Sequence, residues 1–306
     1  MGRYGWYEVV IIGGGPAGLT AGLYASRAGL KALLLERGVF GGQIVNARVV
    51  ENYPGFPDGI SGSELGELMR QQAEKFGLET LTTEVTGVSK GHPYQIFTTE
   101  GDVQAESIVI ASGSEYRKLG VAGEEEFLGR GVSYCATCDA FFFRDKEVAV
   151  VGGGDTAITD ALELTQHCRK VYVIHRRDQL RATKALQEKA FSQPKIQFVW
   201  NALVGEILGD EKVKALRLQN VKTRESSSLE IDGVFVAIGL KPNSQLFSNL
   251  VSLDEAGFIA TDELMRTPMP GVFAAGDVRH NSARQVITAA GDGAVAAKSA
   301  FKYLRE

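Results

Sequence analysis

The stretch Tyr7-Glu8-Val9-Val10-Ile11-Ile12-Gly13-Gly14-Gly15-Pro16-Ala17-Gly18 decides the fold, because its pattern returns at Glu147-Val148-Ala149-Val150-Val151-Gly152-Gly153-Gly154-Asp155-Thr156-Ala157. In each copy a short β-forming run meets a G-x-G-x-x-(G/A) turn. A helical pattern follows, over 19–28 in the first copy and 158–167 in the second. Second strands at 32–35, closing on Glu36, and at 171–174 complete two βαβ units of the dinucleotide-binding type. Glycine in the turn lets backbone approach a pyrophosphate, and the helix N-terminus presents free N–H groups and the positive end of its dipole. Pro16 suits a first helical turn, where its missing N–H is no loss. A single such turn is weak evidence; two, each between a strand and a helix, are strong.

The copies differ where they choose a ligand. Glu36 lies 23 residues after Gly13, and the same distance from Gly152 reaches His175. An acid at the end of the second strand accepts hydrogen bonds from a ribose 2′-OH, so the first site expects FAD or NAD. In the second, His175-Arg176-Arg177 and then Arg181 stand there. Guanidinium groups clamp a 2′-phosphate that an acid would repel, so this site expects NADPH. The blander alternative is a solvated surface cluster of arginines.

Between the units lies Cys135-Ala136-Thr137-Cys138-Asp139. A structural zinc wants about four ligands, and no second C-x-x-C or H-x-x-x-H accompanies the pair. Two merely buried thiols are the other plain reading. A redox dithiol beside two nucleotide sites fits better. Asp139 is placed to move protons during thiol exchange, or is simply an acid in a helix first turn. Cys168 reads as core. Phe141-Phe142-Phe143 follow the pair; either one ring is exposed to a protein partner or all three pack around a buried segment. Near the C-terminus, Val272-Phe273-Ala274-Ala275-Gly276-Asp277 reads as a buried strand closing on a glycine and an acid. The segment 283–303, rich in small residues, reads as a tightly packed helix.

Composition agrees. A chain of 306 residues suggests two domains. It carries 36 glycines where about 21 are usual, without the period of collagen. Its net charge of −4 argues against a nucleic-acid face, and no apolar run nears the ~20 residues of a membrane span. Met1–Glu8 lacks the pattern of a signal peptide, so a cytoplasmic α/β protein is expected.

With these pieces in place the sequence resembles the bacterial-type, low-molecular-weight thioredoxin reductases over nearly its whole length. The resemblance rests on Gly-Gly-Gly-Pro-Ala-Gly at 13–18, Gly41-Gly42-Gln43, Glu51-Asn52-Tyr53-Pro54-Gly55-Phe56, Ala-Thr-Cys-Asp at 136–139 and Gly-Gly-Gly-Asp-Thr-Ala at 152–157. His-Arg-Arg-Asp at 175–178 with Arg181, Gly276-Asp277 and Arg284-Gln285 complete it. It implies an α/β fold of two Rossmann-like, three-layer nucleotide-binding domains, one inserted into the other. The FAD domain would be 1–115 with 245–306, and the NADPH domain, carrying the cysteines, 116–244.

It further implies that FAD is held by Gly13, Gly15, Pro16, Ala17, Gly18, Glu36, Gly41, Gly42, Gln43, Asn52, Ala111, Gly113, Gly276, Asp277, Arg284, Gln285 and Val286. NADPH would be held by Gly152, Gly154, Asp155, Thr156, Ala157, His175, Arg176, Arg177, Arg181 and Gly239. Cys138 would face the flavin, Cys135 would attack thioredoxin, and Asp139 would serve them. The family is homodimeric, and its NADPH domain rotates between two orientations. A glutaredoxin-like or peroxiredoxin-linked acceptor, or a flavin-based redox sensor, are the alternatives. Tyr134, Ala140 and Ser112 depart from the familiar pattern, and no N-terminal extension or C-terminal cysteine tail is expected.

Overall fold

The computed structural model describes residues 5–306, and the reading of Met1–Tyr4 lies outside them. The chain divides into two compact units. One runs to Glu115 and resumes over Lys241–Glu306; the other is Tyr116–Leu240.

The first unit begins with β1 (Trp6–Ile12), helix α1 (Pro16–Arg27) and β2 (Ala32–Glu36). Helix α2 (Gly62–Lys75) leads to β3 (Glu79–Thr82), then to the antiparallel pair β4 (Val85–Ser89) and β5 (Tyr94–Thr98), and to β6 (Val103–Ile110). The sheet order is β3-β2-β1-β6-β5-β4, with the first four strands parallel. Its central strands are buried on both faces: Val9 and Ile11 enter one core cluster, Val10 and Ile12 another. That is why they read as an unbroken apolar run.

Chain then crosses through β7 (Ser114–Tyr116). The second unit holds β8 (Val132–Ser133), the single-turn helix α3 (Ala136–Asp139), β9 (Glu147–Val151), α4 (Asp155–Leu164), β10 (Lys170–His175), α5 (Lys184–Phe191) and β11 (Ile196–Trp200). An antiparallel sheet of β12 (Ala202–Gly209), β13 (Val213–Asn220) and β14 (Ser226–Glu230) follows, then β15 (Gly233–Val236). The parallel sheet runs β11-β10-β9-β15-β8. Its order β11-β10-β9-β15 repeats β3-β2-β1-β6. The return strand β16 (Leu240–Pro242) pairs with β7. Back in the first unit, β17 (Val272–Ala274) joins β6, and α6 (Val286–Arg305) closes the chain.

Several helix boundaries differ from the sequence pattern. Helices α1 and α4 begin directly on the glycine turns, at Pro16 and Asp155, with Gly15 and Gly154 extended at their N-caps. The apolar periodicity starts a turn later because the first helical residues serve the turn, not the core. Helix α4 stops at Leu164 because the chain tightens there: Gln166 N–H bonds Glu163 O at 3.0 Å and His167 N–H bonds Leu164 O at 3.1 Å, while Lys195 Nζ caps Thr165 O and Cys168 O. Helix α6 starts at Val286, not at 283, because Arg284 is left-handed (φ 56°) and Gln285 forms a capping box with Thr288.

Candidate active site

The two glycine turns have the same hydrogen bonding. In the first, Gly13 N–H bonds Leu35 O at 2.8 Å and Ala111 N–H bonds Ile12 O at 2.8 Å. In the second, Gly152 N–H bonds Ile174 O at 3.1 Å and Ala237 N–H bonds Val151 O at 2.9 Å. Strand registers agree, Ile12 opposite Leu35 and Val151 opposite Ile174. So Glu36 and His175 are structural equivalents, each the next residue of its strand. Each turn also sits where the sheet order reverses, the switch point at which open α/β sheets bind ligands.

Glycine is needed here for two different reasons. A Cβ on Gly13 would lie 2.3 Å from Ala111 O, and one on Gly152 2.4 Å from Ala237 O. These positions serve close approach between neighbouring strand ends. Of the glycines in the two turns, only Gly15 and Gly154 border open space, with nothing within 4 Å of an added Cβ. Those two leave the room at the helix N-terminus that a pyrophosphate needs.

Around the first turn, Glu36 is fixed by backbone: Gly14 N–H donates to its Oε2 at 2.6 Å and Gly38 N–H to its Oε1 at 2.8 Å. Gly41 N–H bonds Gly14 O, and Gln43 Nε2 donates to Ser114 O. Asn52 Nδ2 donates to Gln285 Oε1 at 3.1 Å, which joins two distant segments expected at one site. Asp277 accepts Ser282 Oγ at 2.8 Å, and burial pushes its carboxyl above the usual range. Val286 opens α6, whose Gly293 lies against the Ala17 carbonyl of α1. Gly113 has φ 67° and open space around it. These residues fit a flavin dinucleotide: open backbone at a helix start, and an anchored acid at the second strand's end.

Around the second turn the cations gather. Arg176, Arg177 and Arg181 are exposed and line a pocket of about 400 Å³. Their loop folds back onto the turn: Arg181 N–H bonds Gly153 O at 2.7 Å, and Thr183 N–H bonds Asp155 Oδ1 at 2.7 Å. Among the described residues none of the three arginines forms an ion pair. His175 is buried against Gly153, where an added Cβ would meet its ring at 2.4 Å. Burial and then the Arg181 charge hold its pKa below the ordinary value, and its Nε2 has no partner. Thr156 is exposed, Ala157 is buried, and Gly239 (φ 110°) lies near Arg117. A neutral imidazole among unpaired guanidiniums fits a nucleotide bearing an extra phosphate.

The same unit carries the dithiol. Cys135 and Cys138 are disulfide-bonded, and Cys138 N–H donates to Cys135 Sγ at 3.2 Å. Cys138 is exposed and Cys135 half-buried. Ser133 Oγ donates to Asp139 Oδ2 at 2.6 Å and accepts Cys135 N–H at 3.1 Å. Desolvation raises the Asp139 pKa, while the Ser133 bond opposes it. Among the described residues no cluster of His, Cys, Asp and Glu could hold a metal. Cys168 is wholly buried in the core, and burial pushes its thiol up to about 11.

Comparison with known proteins decides the kinship. The pyridine nucleotide-disulphide oxidoreductase family matches residues 7–293. The thioredoxin reductase of Listeria monocytogenes is 50% identical over 302 residues, 98% of this chain and 94% of that one. That of Bacillus subtilis is 47% identical over 98% and 95%. The crystal structure of the Streptococcus pyogenes thioredoxin reductase superposes with a TM-score of 0.93 at 45% identity, covering 98% of both chains. The Lactococcus lactis enzyme, in its FR conformation, scores 0.66 at 47% identity, over 98% and 99%.

The chain belongs to the thioredoxin reductase family. Membership implies an oxidoreductase that uses a flavin and a pyridine nucleotide on a disulfide, and both turns described above lie within the matched region.

Beside these residues the structure shows contacts that the sequence reading did not anticipate. Asp292 is buried on α6 and accepts Gly276 N–H at 3.1 Å, Arg279 Nε at 2.6 Å and Arg279 Nη2 at 2.9 Å, fixing the Gly276-Asp277 turn. One acid set among Ala289, Ala290, Gly291 and Gly293 was the available signal. Ser112 and Asn243 exchange hydrogen bonds beside Gly113. Tyr134, the departure from the family pattern, stacks on Tyr116 and donates to buried Glu124 at 2.8 Å.

Proposed function

We propose that this chain is an NADPH-dependent thioredoxin-disulfide reductase that carries electrons through FAD to the Cys135–Cys138 disulfide. The observation that carries the reading is the placement of that disulfide and the arginine pocket in one unit, while the other unit ends its second strand on an acid. Glu36 is the ribose acceptor for FAD. Gly15, Pro16 and Ala17 form its pyrophosphate turn, and Gln43, Asn52, Asp277, Arg284 and Gln285 surround the rest. Gly154, Asp155 and Thr156 form the second pyrophosphate turn, and Arg176, Arg177 and Arg181 hold the 2′-phosphate. NADPH is assigned over NADH because a desolvated acceptor, not three free cations, would await a 2′-OH.

When bound, NADPH supplies a hydride and FAD relays the electron pair to the disulfide. Reduction breaks the Cys135–Cys138 bond and leaves two thiols. The Cys135 thiolate attacks one sulfur of thioredoxin's disulfide; a mixed disulfide forms and thioredoxin's other sulfur leaves as thiolate. Cys138 then attacks Cys135 Sγ, the mixed disulfide breaks, and the internal disulfide re-forms as thioredoxin departs reduced. Asp139, oriented by Ser133, passes protons between these sulfurs; burial raises its pKa above the ordinary carboxylate value, which makes it a better proton carrier than an exposed aspartate.

Phe141 and Phe142 are 57% and 47% exposed just beyond the pair, while Phe143 is buried. They supply the apolar surface on which thioredoxin docks. Both the dithiol and the NADPH pocket must reach one flavin, so the second unit swivels about the β7–β16 crossing, a motion of microseconds to milliseconds. We take the enzyme as a cytoplasmic homodimer, which the family resemblance implies. Separately, no described helix is long and apolar enough to cross a membrane.

The test is anaerobic titration with NADPH while following flavin absorbance, then addition of thioredoxin, in the parent and in Cys138→Ser. Both proteins should bleach. Turnover with thioredoxin should fall at least about 1,000-fold in the variant. A parent that does not bleach overturns the cofactor assignment, and a variant that still turns over overturns the dithiol roles.

A further inference from the structure

The arginine loop does not close its pocket alone. The turn between β13 and β14 completes the wall with Lys222, and Asn201 lies between that turn and the loop. This turn is fastened in place: Asn201 N–H bonds Arg177 O at 3.3 Å, Val221 N–H bonds Asn201 O at 2.7 Å, and the Asn220 side chain accepts Lys222 N–H at 2.8 Å. Lys222 Nζ sits 2.9 Å from Asp178 Oδ2. Asp178 is the one acid among the residues lining the pocket.

We propose that Lys222 is a specificity-determining residue for the 2′-phosphate, acting by cancelling the charge of Asp178. The inference rests on the NADPH reading of this pocket. A 2′-phosphate entering beside Arg176, Arg177 and Arg181 also meets Asp178, and an uncompensated carboxylate within several ångströms repels it. Paired with Lys222, the acid is neutralised and the three guanidiniums act at full strength. Placing the partner on the β13–β14 turn gives the antiparallel sheet a part in cofactor choice, since it holds that ammonium against the loop. Because Lys222 and Asp178 are each about 61% exposed, the field is partly screened, and salt must weaken the effect.

The probes are 2′,5′-ADP and 5′-AMP, titrated into the flavin-loaded protein at low ionic strength. Lys222→Met should bind 2′,5′-ADP about fivefold more weakly, with 5′-AMP affinity unchanged. Asp178→Asn combined with Lys222→Met should recover most of that loss, and the deficit of the single variant should shrink in about 0.3 M salt. A single variant with the parental preference, or a double variant as weak as the single, overturns the proposal. A parent protein that prefers neither probe would overturn the NADPH reading beneath it, a result distinct from the other two.

Discussion

The first and second βαβ units share a scaffold to the level of single hydrogen bonds, yet end their second strands on opposite chemistries. At equivalent positions stand Glu36, held by two backbone N–H groups, and His175, buried and neutral before an arginine loop. The shared part is what packing demands, since Gly13 and Gly152 are both pressed against a neighbouring carbonyl. The divergent residues are held by protein too, Glu36 by backbone N–H groups and His175 against Gly153. What differs is the charge each strand end presents: a carboxylate in the first unit, and in the second a histidine followed by exposed arginines.

Removing the divergence should produce the largest change. Arg176→Ala with Arg177→Ala takes away two charge-assisted contacts, each worth roughly 1.5–3 kcal/mol, or about 10- to 100-fold. The Michaelis constant for NADPH should rise by at least one such factor while that for NADH stays nearly constant. Steady-state kinetics with both nucleotides decides it, and an equal rise for both would remove the distinction between the units.

Much of this contrast was legible in the sequence. The strand–turn–helix context of each glycine run, and the equal 23-residue spacing to Glu36 and His175, depend only on local pattern, and local pattern survives in a string. What was not legible depends on distant segments meeting. Asp292 bonds Gly276 N–H, Ser112 meets Asn243, and Lys222 reaches Asp178 across a sheet that has no counterpart motif. One clue was overlooked: Ala111-Ser112-Gly113 and Ala237-Ile238-Gly239 are themselves a repeat, and in both the alanine carbonyl faces the turn's first glycine. Helix starts were misplaced for a related reason, because periodicity marks the face that packs, and the first turn of α1 and α4 serves the glycine turn.

The shared scaffold can be stressed at the position where only the first turn keeps a glycine. Gly18 and Ala157 are equivalent, five residues after Gly13 and Gly152. A methyl on Gly18 would lie 1.8 Å from Gly13 O, so Gly18→Ala must displace α1 from the strand end, at about 1–3 kcal/mol. Bound flavin should be lost with it. Ala157→Gly removes a methyl the second unit already accommodates and should cost about 1 kcal/mol. Thermal unfolding and the flavin-to-protein absorbance ratio compare the two; equal losses would mean that the first turn is no tighter than the second.

The smallest effect concerns a carboxyl in each unit, Asp277 and Asp139. Each accepts a serine hydroxyl, from Ser282 at 2.8 Å and Ser133 at 2.6 Å, and each has its pKa raised mainly by burial. A raised carboxyl pKa means that the folded state holds the charge less well than the unfolded chain does. The resulting penalty is absent below the ordinary carboxylate value of about 3.9; it grows as pH rises, and is complete above the folded pKa. Asparagine accepts the same serine bond without the charge. Asp139→Asn and Asp277→Asn should therefore each stabilise the protein at pH 7, by under about 1 kcal/mol, and leave it unchanged near pH 4. Function should split the pair. Asp139→Asn should slow disulfide exchange and flatten its pH profile, whereas Asp277→Asn should alter flavin retention and spare exchange between dithiol and thioredoxin in protein that keeps its flavin. Melting curves at the two pH values check the first statement. If either variant is destabilised equally at both, burial of its charge is not what raises that carboxyl, and the likeness between the two units ends at the backbone.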